Sequence, residues 1–149
     1  MGADRDTLGA IVEANAFMTL ATADGDGNPW ATPVWFAHVD CAEFLWVSRP
    51  EARHSRNLAG RPELGIVVFD STVRPLEGEA AYFDAVAAEV PADERGAALA
   101  ASSARSTASG LKPWTEADVT APAEHRLYRA RATSASLLDG GDARTPVDL

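Results

Sequence analysis

A mainly β domain with short helices is the fold class that this 149-residue sequence predicts. Short β-rich runs recur at regular spacing, tight-turn residues stand between consecutive runs, and helical patterns are brief. About six antiparallel strands and two or three short helices follow from that count. Strands joined by hairpins fit a barrel or a sandwich, and the pattern alone does not choose between the two.

The elements can be taken in order. Residues 1–16 place Leu8, Ile11, Val12 and Ala16 at helical spacing and predict an N-terminal helix. FMTLATA follows as a β-rich run that ends in Asp24-Gly25-Asp26-Gly27-Asn28, a dense turn sequence, and WATPVWFAHV begins at once. A second tight turn around Asp40-Cys41-Ala42 leads into EFLWVS. In RPEARHSRNLAGR, Pro50 suits the first turn of a short helix and Gly60 its C-terminal stop. ELGIVVFD and LEGEAAYFDAVAAEV read as two further strands. Pro91-Ala92-Asp93-Glu94 opens a helix running to about Arg105, with its acids where the helix dipole favours them. Residues 106–123 are a polar connector around Trp114, HRLYRARATSASLLD is the last predicted strand, and residues 140–149 are expected to be a loose tail. The whole reads as one domain, 1–149.

Composition narrows the function. A net charge of −9 argues against nucleic acid or an anionic membrane as partner, since both need a positive footprint. The N-terminus has no apolar signal region and no run approaches a membrane span, so a cytoplasmic protein is expected. Cys41 is the only cysteine, which removes internal disulfides and thiolate metal clusters. Asp24, Asp26 and Asn28 mimic the start of a calcium loop, but Pro29 and Trp35 stand where that loop needs Gly and Glu. His38, His54 and His125 show no ligand spacing, and phosphate-loop, dinucleotide and nucleophile-elbow motifs are all missing.

One local anomaly remains. Arg49, Arg53, Arg56 and Arg61 crowd into 13 residues of an acidic chain. On a helix, Arg53 lies one turn from Arg49, Arg56 and Asn57, so several donors can converge. Together with the unpaired N–H groups of a helix N-terminus, such donors suit a phosphate dianion. The alternative is a solvated helix whose arginines pair with the chain's excess acids.

FMTLATADGDGNPWATPVWF followed by EFLWVSRPEARHSRNLAGRPELGIVVFD resembles the flavin-binding core of pyridoxamine 5′-phosphate oxidase-like proteins. The likeness runs over roughly residues 16–84 and returns at HRLYRA. It implies a six-stranded antiparallel split β-barrel, homodimeric, with FMN bound across the subunit interface. By position, Thr32, Pro33, Val34 and Trp35 would run alongside the flavin ring and ribityl chain. Val47 and Ser48 would flank the phosphate end, and Arg53 and His54 would grip the phosphate. The partner's segment 73–77, with Arg74 as its basic member, would approach the flavin edge. The family more often has Lys at the position of His54. The C-terminal GGDARTPVDL lacks the basic substrate-binding motif of the true oxidase, and no histidine follows His125, where haem-degrading relatives carry a C-terminal one. The resemblance therefore implies a flavin-dependent oxidoreductase acting on another small molecule. The deazaflavin F420 is the competing cofactor, and a non-catalytic flavin- or ligand-binding protein is the competing role.

Overall fold

A computed structural model describes residues 2–138 and 140–149. The chain runs α1 (Gly2–Ala14), β1 (Phe17–Ala23), β2 (Pro29–Trp35), β3 (Ala37–Val39), β4 (Glu43–Ser48), α2 (Arg53–Gly60), β5 (Glu63–Phe69), β6 (Ala80–Glu89), α3 (Arg95–Ala108), a single 3₁₀ turn (Ala117–Val119), β7 (Arg126–Leu138) and β8 (Arg144–Val147). No helix among the described residues is long and apolar enough to cross a membrane.

All strands join one antiparallel sheet in the order β2-β1-β5-β6-β7-β4-β3, and β8 pairs with the C-terminal half of β7. The two ends of that order, β2 and β3, are neighbours in the chain, with only Phe36 between them. The sheet must therefore curl until its ends meet. A bulge in the long β6–β7 ribbon helps: Asp84 faces Ser134 and Ala85 faces Ala132, leaving Thr133 without an opposite number. Such an extra residue bends a strand and raises its twist.

Period-2 alternation fills the inside of the curl. Met18 and Leu20 of β1, Phe44 and Trp46 of β4, Leu64, Ile66 and Val68 of β5, and Phe83 of β6 are all buried there. Leu8 and Val12, one helical turn apart on α1, belong to the same core. The opposite face of β4 and β7 carries a smaller cluster of Leu45, Val90, Ala98, Leu99, Val119 and Leu127 beneath α3. The connector after α3 is therefore not all loop, because its 3₁₀ turn delivers Val119 to that second cluster.

The expected strand count of six becomes eight among the described residues. β3 was hidden because WATPVWFAHV reads as one run, although it breaks at Phe36. β8 lies in the segment expected to be a loose tail, where Pro146 and flanking polar residues mask a strand. Val147 is nonetheless buried against the core, and Arg5 Nη1 donates to the Asp148 carbonyl at 2.9 Å. Asp24-Gly25-Asp26-Gly27-Asn28 is a hairpin turn: Asp24 Oδ1 accepts the Asp26 and Asn28 N–H groups at 2.9 Å each, and Gly27 has φ +85°.

Phe36 is fully buried, 6.0 Å from the Phe44 ring, with the Arg105 guanidinium 4.6 Å over its face. Phe36→Ala should destabilise the fold by about 3–5 kcal/mol, the range for emptying a buried aromatic site. Urea unfolding reads it, and a loss below about 1 kcal/mol would mean that the junction is not under tension from both sheet ends.

Candidate functional site at the seam beside helix α2

Helix α2 lies across the ends of β1, β2 and β4, and its inward residues tie it there. Asn57 Nδ2 donates to Thr22 Oγ1 at 3.1 Å, with both side chains buried. Leu58 enters the main core, and His54 Nε2 meets Ser48 Oγ at 2.9 Å. The Arg61 N–H bonds back to the Asn57 carbonyl at 2.8 Å, which ends the helix at Gly60 as Gly60-Arg61-Pro62 predicts. Pro50 falls in the turn Arg49–Ala52 just before the helix rather than in its first turn.

The outward residues of α2 make a charged groove. Arg53, Arg56, Asn57 and Gly60 line it from the helix side, and Asp24 and Gly25 from the β1–β2 turn. The Arg53 guanidinium sits 4.4 Å over the Trp30 ring. Hydrogen bonds from the Asn28 side chain, then from the Asn28 and Asp26 backbone, hold the Asp24 carboxyl below its ordinary range, with a smaller contribution from Arg53. Of the four clustered arginines, Arg49 alone has a carboxylate within ion-pair distance among the described residues, Glu124 at 3.0 Å. Arg61 donates to the Gly25 carbonyl at 3.2 Å. Among the described residues, Arg53 and Arg56 therefore have no carboxylate within ion-pair distance, and Arg53 acts on Asp24 only from further off, in a chain of net charge −9. This is not the picture of a helix neutralised by surplus acids.

The other expected positions divide by strand geometry. Thr32, Pro33, Val34 and Trp35 lie on β2, which pairs with β1 on one side and, among the described residues, has no strand on the other. Val34 points into the core, while Thr32 and Trp35 are half-buried and Pro33 is exposed. Val47 and Ser48 are adjacent and so face opposite sides of β4. Ser48 reaches His54, whereas Val47 packs on the second cluster under α3, so its side chain is turned away from the groove. Arg74, with Val73 and Glu77, sits on the exposed loop after β5, while α2 leads into the start of that strand. A seven-residue strand of roughly 20 Å thus separates Arg74 from α2 within one subunit.

Three residues beside α2 escape sequence reasoning: Asp24 in the groove, Trp30 under Arg53, and Thr22 under Asn57. Trp30 faces Thr22 across β1 and β2, so both stand beside α2 only once the hairpin register is set. The signal was an aromatic placed directly after the turn, and it reads equally as an ordinary strand residue.

A curled antiparallel sheet with a basic helix at its seam defines the class of split-barrel proteins. The sequence matches the family described as pyridoxamine 5′-phosphate oxidase over residues 5–134, and the chain belongs to that family. Solved structures share the fold. A haem-binding protein from Mycobacterium smegmatis superposes with a TM-score of 0.76 at 22% identity, covering 97% of this chain and 57% of that one. The chain thus spans little more than half the length of that protein. HutZ, a haem storage protein from Vibrio cholerae, gives 0.65 at 22% identity, covering 85% and 88% of the two chains. An FAD-binding protein from Mesorhizobium loti gives 0.63 at 20% identity, covering 88% and 91%. No curated protein is a detectable sequence relative.

Burial pushes the His54 imidazole below its ordinary value near 6.5. A dianion bound beside it would favour the imidazolium and raise that value in the complex. Anion binding then takes up a proton, so affinity falls as pH rises from the free-state value through the bound-state one. The second ionisation of a phosphate monoester, near ~6, acts the other way at low pH. FMN titrations between about pH 6 and 9 should therefore show the highest affinity at the acid end and a decline as pH rises. His54→Lys should flatten that decline, and parallel profiles for the two proteins would exclude His54 from anion binding.

Proposed function

We propose that this chain is a flavin-dependent oxidoreductase that holds FMN by its phosphate at the N-terminal end of α2. The observation that carries the reading is the pair of arginines, Arg53 and Arg56, with no carboxylate within ion-pair distance among the described residues, beside the Ser48–His54 contact. Arg53, His54 and Ser48 would bind the phosphate through charge-assisted hydrogen bonds, and Asn57 would position the helix through Thr22. β2 leads away from that point along its open edge. From Trp30 to Trp35 it covers roughly 17 Å, enough for Thr32, Pro33, Val34 and Trp35 to flank a ribityl chain and ring through backbone groups.

Bound flavin would supply hydride chemistry at its N5, so the protein's task is to bind, orient and shield. That division of labour asks the groove for anion donors, which Arg53 and Arg56 supply. The substrate would be a small molecule other than pyridoxamine phosphate, and a deazaflavin cofactor or a purely ligand-binding role are the outcomes to be told apart by turnover.

A homodimer belongs to the same proposal. The outer face of β1 and β5 exposes Phe17 at 59% and Phe69 at 46% at one end of the strand pair, and the face continues through Thr19, Ala21, Gly65 and Val67. Large apolar side chains exposed on a sheet face suit a protein interface. A second subunit seated there would also bring its own 73–77 loop, with Arg74, into reach of a shared site.

FMN should raise the melting temperature clearly more than riboflavin does, because only FMN carries the phosphate. Equal shifts would remove the phosphate from the account. Light scattering on the FMN-loaded protein should give the mass of a dimer, and a flavin-loaded monomer at micromolar concentration would refute the shared site.

A further inference from the structure

A second cavity, sharing no residue with the groove beside α2, opens where the end of α1 meets α3. Its volume is about 510 Å³, within the ordinary range for a small-molecule site. Ala101, Ala104 and Ala108 line one side. Spaced three and four apart, they share one face of α3 and offer apolar surface without filling the space. Glu13, Asn15, His38 and Arg105 supply the polar side.

That polar side holds fixed charges of both signs. The Cys41 N–H donates to His38 Nδ1 at 3.1 Å, so the imidazole proton sits on Nε2 and is directed at Glu13 Oε1. Glu13 Oε2 is left 3.8 Å from Arg105 Nη1, too long for a hydrogen bond. Arg105 is anchored twice: its guanidinium lies 4.6 Å over Phe36, and Nη2 donates to the Asn15 carbonyl. Nη1 is buried and has no hydrogen-bond partner among the described residues. A buried charged donor left unpaired is costly, so this nitrogen calls for an acceptor. The last turn of α1 carries no basic residue, and its negative end, with Glu13 on it, favours a cation in the same cavity.

A molecule that satisfies both charges needs a carboxylate and an ammonium close together, and an apolar body to lie along the alanines. We propose that the cavity between α1 and α3 binds a free α-amino acid with an apolar side chain. The carboxylate accepts from Arg105 Nη1, the ammonium donates to Glu13 Oε2, and the side chain lies along Ala101, Ala104 and Ala108. Glu13, 68% exposed, turns outward to admit the carboxylate, while Arg105, 16% exposed, stays fixed by Phe36 and Asn15.

Calorimetric titration of the full chain with L-phenylalanine, 3-phenylpropanoate and 2-phenylethylamine tests this, since each analogue lacks one of the two charges. L-Phenylalanine should bind saturably and at least about tenfold tighter than either analogue. Glu13→Gln keeps an acceptor for His38 but removes the charge that the ammonium needs. It should bring L-phenylalanine down to the level of 3-phenylpropanoate, an effect that a merely structural ion pair would not produce. Ala104→Leu fills the cavity from an exposed position and should weaken L-phenylalanine by about tenfold or more. If that variant does not fold, the Glu13→Gln comparison decides alone. Equal binding of L-phenylalanine and either analogue, or an unchanged preference in Glu13→Gln, would overturn the two-charge site. Failure of all three molecules to bind saturably would overturn it as well.

Discussion

Phe36 is the only residue between the two strands that stand at opposite ends of the sheet order. A flat or gently twisted sheet would leave β2 and β3 far apart, so the chain connection itself forces the curl. Everything functional follows from that closure. The curl brings the ends of β1, β2 and β4 round to one rim, and α2 lies across them because Asn57, Leu58 and His54 each find a partner on a different part of the rim. Arg105 reinforces the same point from outside. It lies over Phe36, donates to the Asn15 carbonyl and sits 3.8 Å from Glu13, whose other oxygen contacts His38.

Electrostatics is what supports the proposal that the groove is a site. Several arginines elsewhere are matched to acids: Arg126 to Glu89, Arg129 to Glu94, and Arg131 to Glu43 and Glu94. Arg144 lies instead over the Tyr82 ring. At α2, Arg53 and Arg56 have no carboxylate within ion-pair distance among the described residues. Arg53 is held by an aromatic ring instead of a carboxylate, which orients the guanidinium without consuming its charge.

Much of this was legible in the residues. Turn chemistry fixed the β1–β2 hairpin, and Gly60-Arg61-Pro62 fixed the end of α2. The density of arginines singled out the helix that lines the groove. Other features lay beyond the reach of pattern. The resemblance put both Val47 and Ser48 at the phosphate end, but neighbours on a strand face opposite sides, and which of them meets α2 depends on the layer of α3 and Val119 packed behind β4. β3 and β8 are four residues or fewer, too short to carry a period, and both exist because neighbouring strands recruit them. Trp30 joins the site only through its register with Thr22, a long-range fact that no local window contains.

The central claim is that the seam beside α2 holds a flavin by its phosphate, in a fold whose solved neighbours include haem-binding proteins. The most direct test is a competition read by visible absorption. The full chain is equilibrated with equimolar FMN and haemin, passed through gel filtration, and its spectrum recorded beside that of Arg53→Ala. The account predicts a flavin spectrum for the parent protein and a tenfold or greater loss of flavin affinity in the variant, the effect of removing a charge-assisted bond worth about 1.5–3 kcal/mol. A retained haem spectrum, or flavin held equally well by both proteins, would contradict it.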